Sequence, residues 1–268
     1  MYYINSNLEI YIFRYKGVLF NFTLDKSFFK GTVIVLAYGM PGSPLSVFDK
    51  LVIKLTKKGF GVAIPEYIGT FDSFGKFDFK NAVDSLIYTI DSIKNNRSYD
   101  LFTNKKISSK VKHIILIGGS FGGSIVLIAG AKSKFVDMIV AIAPVTDYSG
   151  KLNYENETGI DDLANQIHIL QPVTWKVSDS AIKELKSGHI DINPILHVKD
   201  IAKKKVILIH GLNDKCVNYK RSLDLYYSLL FFNCNVKLNL IPKLGHIGIS
   251  VLRKPKIYNS VLQDFYKL

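Results

Sequence analysis

The chain has 268 residues, 48% of them hydrophobic, which is enough for one large α/β domain or two small ones. Its 35 basic against 22 acidic residues give a formal net charge of +13. The lysines are scattered, however, and the densest run, Lys203-Lys204-Lys205, directly precedes an apolar segment. We therefore expect a solvated turn there and no nucleic-acid partner. The two cysteines form neither a disulfide framework nor a metal motif, which fits a reducing compartment.

No segment resembles a targeting or membrane-spanning sequence. The N-terminus lacks the basic start and continuous apolar core of a signal peptide. The most apolar stretch, residues 114–131, is interrupted by glycines and serines, whereas a spanning helix needs about 18 uninterrupted apolar residues. We therefore expect a cytoplasmic protein with no membrane partner.

Short apolar runs alternate with amphipathic segments along the chain. Residues 8–15 and 18–24 are rich in β-forming side chains and flank Lys16-Gly17, which predicts a hairpin. Six apolar runs predict further strands, at 32–37, 60–64, 113–117, 136–143, 205–210 and 236–241. The segments between and after these runs predict helices at 45–58, 79–95, 124–129, 219–231 and 258–265. This alternation predicts a single domain over residues 1–268, built on a doubly wound, mostly parallel eight-stranded sheet.

One long segment, residues 148–197, interrupts this alternation. It is polar and irregular, with short helices predicted near 161–170 and 178–186. Long connections in compact domains are usually functional or disordered. We therefore interpret the segment as a small lid inserted over the carboxyl edge of the sheet.

The motif Gly118-Gly119-Ser120-Phe121-Gly122 has the form G-x-S-x-G and lies between a predicted strand and a predicted helix. That context is typical of a nucleophile elbow, in which a sharp turn exposes a serine hydroxyl at a helix N-terminus. The free N–H groups and the dipole of the helix favour an oxyanion beside that serine. The alternative is an ordinary tight turn, which the strand and the helix on either side disfavour.

A serine nucleophile needs a base, and the base needs a residue that orients it. In α/β hydrolases the acid precedes the histidine, and both follow late strands. Asp214 follows the apolar run 205–210, and His246 follows the run 236–241. These positions predict Asp214 as the acid and His246 as the base. Asp147 is the second choice of acid, and His210 is expected to make a structural hydrogen bond beneath the acid loop.

The oxyanion requires two hydrogen-bond donors aimed at one point. The first is expected to be the backbone N–H of Phe121, directly after the serine. The second is expected from the loop after residues 32–37, where the Tyr38 hydroxyl and the Met40 amide are both candidates. Pro41 in this loop is a candidate for a cis peptide bond.

Three stretches resemble the catalytic domain of the prolyl oligopeptidase family of serine peptidases, which includes dipeptidyl peptidase IV and acylaminoacyl peptidase. They are GGSFGGSIVLIAGA with the following AIAPVTDY, then PILHVKDIAKKKVILIHGLNDKCVNYKRSLDLYYSLL, and the ending VKLNLIPKLGHIG. The resemblance covers residues 30–268 and implies an α/β-hydrolase fold with Ser120, Asp214 and His246 as the triad. Tyr38 stands where some members place an oxyanion-binding tyrosine. The 268 residues leave no room for the β-propeller of full-length members, so their substrate specificity is not carried over.

The sequence therefore predicts a serine hydrolase of prolyl-oligopeptidase type that cleaves small peptide or ester bonds through an acyl-enzyme. We expect neither a cofactor nor a metal. One alternative is a carboxylesterase or thioesterase with the same triad. Another, from a different class, is a non-catalytic binding protein that kept the fold. Homo-oligomer formation is left open.

Overall fold

One eight-stranded sheet organises the chain in the computed structural model, which describes residues 7–107, 110–149, 154, 157 and 174–268. The strand order is β1-β2-β4-β3-β5-β6-β7-β8. The prediction of eight strands is confirmed. Their bounds are β1 Leu8–Tyr15, β2 Val18–Asp25, β3 Thr32–Ala37, β4 Phe60–Pro65, β5 His113–Gly119, β6 Met138–Ile142, β7 Lys205–Gly211 and β8 Val236–Ile241.

The first two strands form the predicted antiparallel hairpin, and β2 also pairs antiparallel with β4. All remaining pairs, from β4 through β3, β5, β6 and β7 to β8, are parallel. The carboxyl ends of these six strands therefore meet at one edge of the sheet. Ligand sites of open α/β sheets lie outside that edge.

The helices cover both faces of the sheet. Within the described ranges they are α1 Lys50–Thr56, α2 Phe79–Lys94, α3 Phe121–Lys132, α4 Asp179–Ser187, α5 Val198–Ile201, α6 Lys220–Phe231 and α7 Pro255–Phe265. Single 3₁₀ turns occupy Pro194–Leu196 and Ile249–Arg253. None of the helices in the described ranges is both long enough and apolar enough to cross a bilayer.

Several of the predicted element bounds were wrong; the helix predicted at 124–129, for example, runs from Phe121 to Lys132. The helix predicted at 45–58 begins only at Lys50, because the Asp49 side chain caps it by accepting from the Leu51 N–H at 2.8 Å. The strand predicted from residue 136 begins at Met138, since Val136 still belongs to the preceding turn. The last helix begins three residues before the predicted start, at Pro255, which suits the first turn of a helix.

The strand β3 shows how the core is divided. Val33, Val35 and Ala37 lie in one hydrophobic cluster, while Ile34 and Leu36 lie in the other. Successive strand residues point to opposite faces, so a strand covered by helices on both sides is apolar throughout. This is why the run TVIVLA carries no polar alternation.

The segment 148–197 is described only in part. Helix α4 agrees with the helix predicted at 178–186, whereas the one predicted at 161–170 lies outside the described residues. Isolated bridges join Trp175 to Thr70 and Val177 to Phe77, so this part of the segment lies against the loop after β4. Its assignment as a lid stays a prediction, as does the single-domain division.

Candidate active site

Ser120 occupies a sharp turn between β5 and α3. Its backbone has φ 55° and ψ −123°, a strained conformation for a residue with a side chain. The turn is closely packed: a Cβ on Gly118 would lie 2.1 Å from the Gly122 carbonyl oxygen, and one on Gly122 would lie 2.3 Å from that of Ala37. Glycine is therefore required at both positions, and the geometry is that of a nucleophile elbow.

Two groups of backbone atoms surround the serine. Phe121 is the first residue of α3, and the first N–H groups of a helix have no acceptor within it. On the other side, a Cβ on Gly39 would lie 3.4 Å from the Ser120 Cβ and 4.0 Å from its Oγ. The loop after β3 therefore lies directly against the elbow.

Asp214 lies in the loop after β7, and its side chain has no exposed surface. One carboxylate oxygen, Oδ1, accepts from the backbone N–H groups of Cys216 and Val217, both at 2.9 Å. The other, Oδ2, accepts from His246 Nδ1 at 2.8 Å. Burial by itself raises the pKa of Asp214, but hydrogen bonds from His210, His246 and the Val217 N–H outweigh it and hold that pKa well below its usual range. Asp214 is therefore a buried carboxylate.

His246 follows β8, and its side chain is 29% exposed. Because Nδ1 donates to Asp214, Nε2 is the acceptor nitrogen of the neutral ring. The loop of His246 touches the elbow, since a Cβ on Gly119 would lie 2.5 Å from the Gly248 Cα. The structure thus joins His246 to Asp214, whereas no hydrogen bond links the Ser120 hydroxyl to His246 among the described residues. Such contacts are often loose before substrate binds.

The second-choice acid, Asp147, accepts hydrogen bonds from a neighbouring residue in its own loop. Its two carboxylate oxygens accept from the backbone N–H and the hydroxyl of Ser149. His210 is fully buried and hydrogen-bonded on both ring nitrogens, in agreement with the structural role expected for it. The histidines outside these loops are His113 at the start of β5, His189 and His197 around the 3₁₀ turn before α5, and His168, which lies outside the described residues.

The two candidates for the second oxyanion donor differ in their surroundings. The Tyr38 hydroxyl accepts from the Tyr67 N–H at 3.1 Å and lies 2.8 Å from Thr70 Oγ1. Thr70 donates its own proton to the Tyr67 carbonyl at 2.8 Å, so the Tyr38 proton is directed at Thr70. Burial also raises the pKa of Tyr38, because the phenolate would be desolvated. No carbonyl in the described part of the chain accepts from the Met40 N–H, and the Met40–Pro41 peptide is cis.

One residue that supports the loop after β3 was not predicted from the sequence. Trp175 is buried, and its Nε1 donates to the Gly42 carbonyl at 3.3 Å, within the loop that carries Tyr38 and Met40. Its ring packs edge-on against Phe77, with centroids 4.8 Å apart. The segment after β6 therefore supports the loop after β3. The available signal was that this is the single tryptophan of the chain.

A second unpredicted contact ties the same segment to the acid loop. Arg221 on α6 donates Nε and Nη2 to the two carboxylate oxygens of Glu157, at 2.6 and 2.7 Å. Glu157 also accepts from the Asn218 N–H at 2.6 Å, and Arg221 Nη1 donates to the Asp147 carbonyl at 2.9 Å. Both charged side chains are nearly buried. No local pattern in the sequence indicates this pair, because its partners are 64 residues apart.

The doubly wound sheet and the strained serine between strand and helix define an α/β hydrolase of the serine class. The model of the prolyl oligopeptidase family matches residues 47–267, and the chain belongs to that family. The resemblance derived from the three motifs is therefore confirmed. The chain is a serine hydrolase, and the alternative of a non-catalytic binding protein is set aside.

Individual relatives are distant. The acylamino-acid-releasing enzyme of Rattus norvegicus is 22% identical over 226 residues, which are 80% of this chain and 28% of that enzyme. The structure of Pyrococcus horikoshii acylaminoacyl peptidase matches with a TM-score of 0.71 and 14% identity, over 98% of this chain and 42% of that one. The Pyrococcus furiosus esterase Pf2001 matches with a TM-score of 0.67 and 17% identity, over 97% and 90%. At these identities the structural matches show the fold.

Proposed function

We propose that this serine hydrolase acts through Ser120 as nucleophile, His246 as base and Asp214 as the residue that orients the base. The observation that carries the proposal is the 2.8 Å hydrogen bond between His246 Nδ1 and the buried Asp214 carboxylate. That carboxylate holds the imidazole in the tautomer whose Nε2 accepts a proton, and it stabilises the imidazolium that forms. The contact between Gly119 and Gly248 supports the placement of the histidine loop beside the serine.

The reaction then follows from this geometry. His246 Nε2 takes the Ser120 proton as Oγ attacks the carbonyl carbon, and the tetrahedral intermediate forms. The imidazolium returns the proton to the leaving group as the bond to that group breaks. Water, deprotonated by the same histidine, next attacks the acyl carbon, and the bond to Ser120 Oγ breaks as the imidazolium returns its proton to that oxygen.

The backbone N–H groups of Phe121 and Met40 are the oxyanion donors of this proposal. Phe121 begins α3, so its N–H has no acceptor within the helix. The Met40 amide has no acceptor in the described part of the chain, and its loop lies against Ser120 through Gly39. The Tyr38 hydroxyl is the weaker candidate, because it already donates its hydrogen bond to Thr70 Oγ1.

Small peptides, including N-acylated ones, are the first substrate class. The rat relative is named for the release of acylated amino acids, and a structural neighbour, an acylaminoacyl peptidase, was solved with a Z-Gly-Gly-Phe chloromethyl ketone. Small esters are the second class, because the structural match to the Pyrococcus furiosus esterase extends over 90% of that enzyme's chain. That esterase is thus nearly the size of the present chain.

Labelling with a fluorophosphonate probe, followed by peptide mapping, tests the triad without knowledge of the substrate. We expect a single adduct on Ser120 that disappears in Ser120→Ala and is slowed strongly in His246→Ala. Ser250→Ala is the matched control, because this exposed serine also lies near the histidine loop and takes no part in the proposal. An adduct on another serine, or unchanged labelling in His246→Ala, would contradict the triad.

A panel of p-nitrophenyl esters, aminoacyl anilides and N-acylated aminoacyl anilides separates the substrate classes. Turnover of the anilides that is lost in Ser120→Ala supports peptide cleavage. Rapid ester turnover without any amide cleavage would assign the esterase reaction instead.

A further inference from the structure

His210 lies at the carboxyl end of β7, four residues before Asp214, and has no exposed surface. Its Nε2 lies 2.8 Å from the Val217 carbonyl oxygen and 3.3 Å from Asp214 Oδ2. Its Nδ1 lies 2.7 Å from the Ser222 hydroxyl on α6. Since both neighbours of Nε2 are acceptors, Nε2 carries the hydrogen in the neutral ring, and Nδ1 accepts from Ser222. The surroundings therefore select one tautomer.

The His210 ring contacts the turn that carries Asp214 at two places. Val217 donates its backbone N–H to Asp214 Oδ1, and its backbone carbonyl accepts from His210 Nε2. The same ring nitrogen faces Asp214 Oδ2, the oxygen that accepts from His246. His210 thus contacts the Asp214 carboxylate at Oδ2, and it also contacts the loop whose N–H groups donate to Asp214 Oδ1.

We propose that His210 is a positioning residue that fixes the plane of the Asp214 carboxylate so that Oδ2 faces His246 Nδ1. The inference rests on the proposed roles of Asp214 and His246. The terminal torsion of an aspartate side chain is soft, so its orientation depends on its hydrogen bonds. Two backbone donors hold Oδ1 in place, and His210 restrains the second oxygen from the buried side.

Three substitutions at this position separate hydrogen bonding from packing. His210→Leu removes both ring nitrogens. His210→Gln can present an amide N–H near the place of Nε2, so it keeps the donor towards Val217 and Asp214. His210→Asn is polar but too short to reach them. The matched control is Leu208→Ala. Leu208 is buried on the same face of β7, and its side chain has no polar atom that could form a hydrogen bond.

The direct readout is the strongly downfield proton NMR resonance of a histidine N–H bonded to a carboxylate, assigned by its absence in His246→Ala. We expect this resonance in the wild type, in His210→Gln and in Leu208→Ala, and its loss or displacement in His210→Leu and His210→Asn. For these last two variants kcat should fall about 10- to 100-fold with KM nearly unchanged, the scale typical of residues that orient a functional side chain. His210→Gln should recover most of kcat.

Thermal melting of every variant identifies those that fold. A folded His210→Leu or His210→Asn that keeps both the resonance and kcat would overturn the inference. If neither variant folds, His210→Gln decides, because a folded glutamine variant without the resonance would equally exclude a hydrogen-bonding role. The resonance is read without substrate and should persist in Ser120→Ala. Activity retained in Ser120→Ala would therefore refute the proposed nucleophile and leave the role of His210 standing.

Discussion

Gly119 and Gly248 are in direct contact, and they join the turn of the proposed nucleophile to the loop of the proposed base. A Cβ on Gly119 would lie 2.5 Å from the Gly248 Cα and 2.8 Å from the Ile249 backbone nitrogen. Gly119 immediately precedes Ser120, and Gly248 follows His246 by two residues. The separation of Ser120 and His246 is therefore set by backbone contact rather than by flexible side chains.

This contact predicts the effect of Gly119→Ala. The added methyl group must push the histidine loop away from Ser120, since its nearest neighbours are backbone atoms. A displacement of about 1 Å costs catalysis on the order of 100-fold, so we expect that loss in kcat/KM and in the rate of fluorophosphonate labelling. Gly245→Ala is the matched control, because a Cβ there meets nothing closer than 3.8 Å. Equal activity of the two variants would refute the packing argument.

The strained backbone of Ser120 predicts a gain in stability when its side chain is removed completely. With φ at 55°, a residue with a Cβ stores strain that glycine does not. Ser120→Gly and Ser120→Ala should both lose activity, but the glycine variant should be more stable than the alanine variant by about 1 kcal/mol. Urea unfolding of the two inactive proteins measures this difference directly. A glycine variant that is no more stable than the alanine variant would show that the turn is unstrained.

Much of the fold could be predicted because its signals are local. Six apolar runs predicted β3 to β8, and the β-forming runs that flank Lys16-Gly17 predicted the hairpin of β1 and β2. The bounds of α1 were wrong because the apolar spacing continues before Lys50, whereas the capping by Asp49 decides where the helix begins. Val136 was assigned to β6 because hydrophobicity alone cannot distinguish a strand from a buried turn.

The site was predictable to a smaller extent. The strand–turn–helix context of Ser120 and the chain order of Asp214 and His246 are local or ordinal signals. The contacts of Trp175 with the loop after β3, and of Glu157 with α6, depend on how distant segments fold back. Nothing in periodicity or motif spacing encodes such contacts, so they emerge only from the tertiary structure.

The lowered pKa of Asp214 predicts how stability depends on pH. A carboxylate whose pKa is lower in the folded than in the unfolded state stabilises the fold above its unfolded value of about 3.9. That stabilisation is lost as the pH falls through the folded value. The melting temperature of the wild type should therefore exceed that of Asp214→Asn most clearly at pH 6–8, on the basis of this linkage, and the gap should shrink below about pH 4. A gap that is constant with pH would contradict the ionised state of the buried acid.

The activity of Asp214→Asn follows from the same hydrogen bonds. An amide in place of the carboxylate can present an N–H to His246 and so favour the wrong tautomer. The equivalent change in a serine protease triad lowers kcat about 10⁴-fold. We expect a loss of that order at neutral pH, measured with the best anilide or ester of the substrate panel. A loss below about 10-fold would point to another acid, with Asp147→Asn as the comparison.

The Glu157–Arg221 pair predicts a large and non-additive effect on stability. Both side chains are nearly buried, so Glu157→Ala removes a desolvated, bidentate carboxylate partner of the Arg221 guanidinium. Glu157→Ala should lower the free energy of unfolding by about 3 kcal/mol, and Glu157→Ala/Arg221→Met should recover part of it. Asp200→Asn is the control, because the Asp200–Lys203 pair is solvent-exposed and should contribute nothing measurable. The coupling is refuted if, in urea unfolding, the losses of unfolding free energy in the two single variants add up to the loss in the double variant.

Tyr38→Phe distinguishes between the two oxyanion donors. If the Tyr38 proton is directed at Thr70, its loss should change kcat/KM less than about 10-fold, whereas removal of an oxyanion donor costs about 10²- to 10³-fold. The variant should still be less stable by about 1–2 kcal/mol, because the buried Tyr67 N–H loses its acceptor. Tyr67→Phe is the matched control, since it removes a buried hydroxyl that donates to the Tyr38 carbonyl at 2.7 Å. A 100-fold loss confined to Tyr38→Phe would instead assign the second donor to the tyrosine hydroxyl and exclude the Met40 amide.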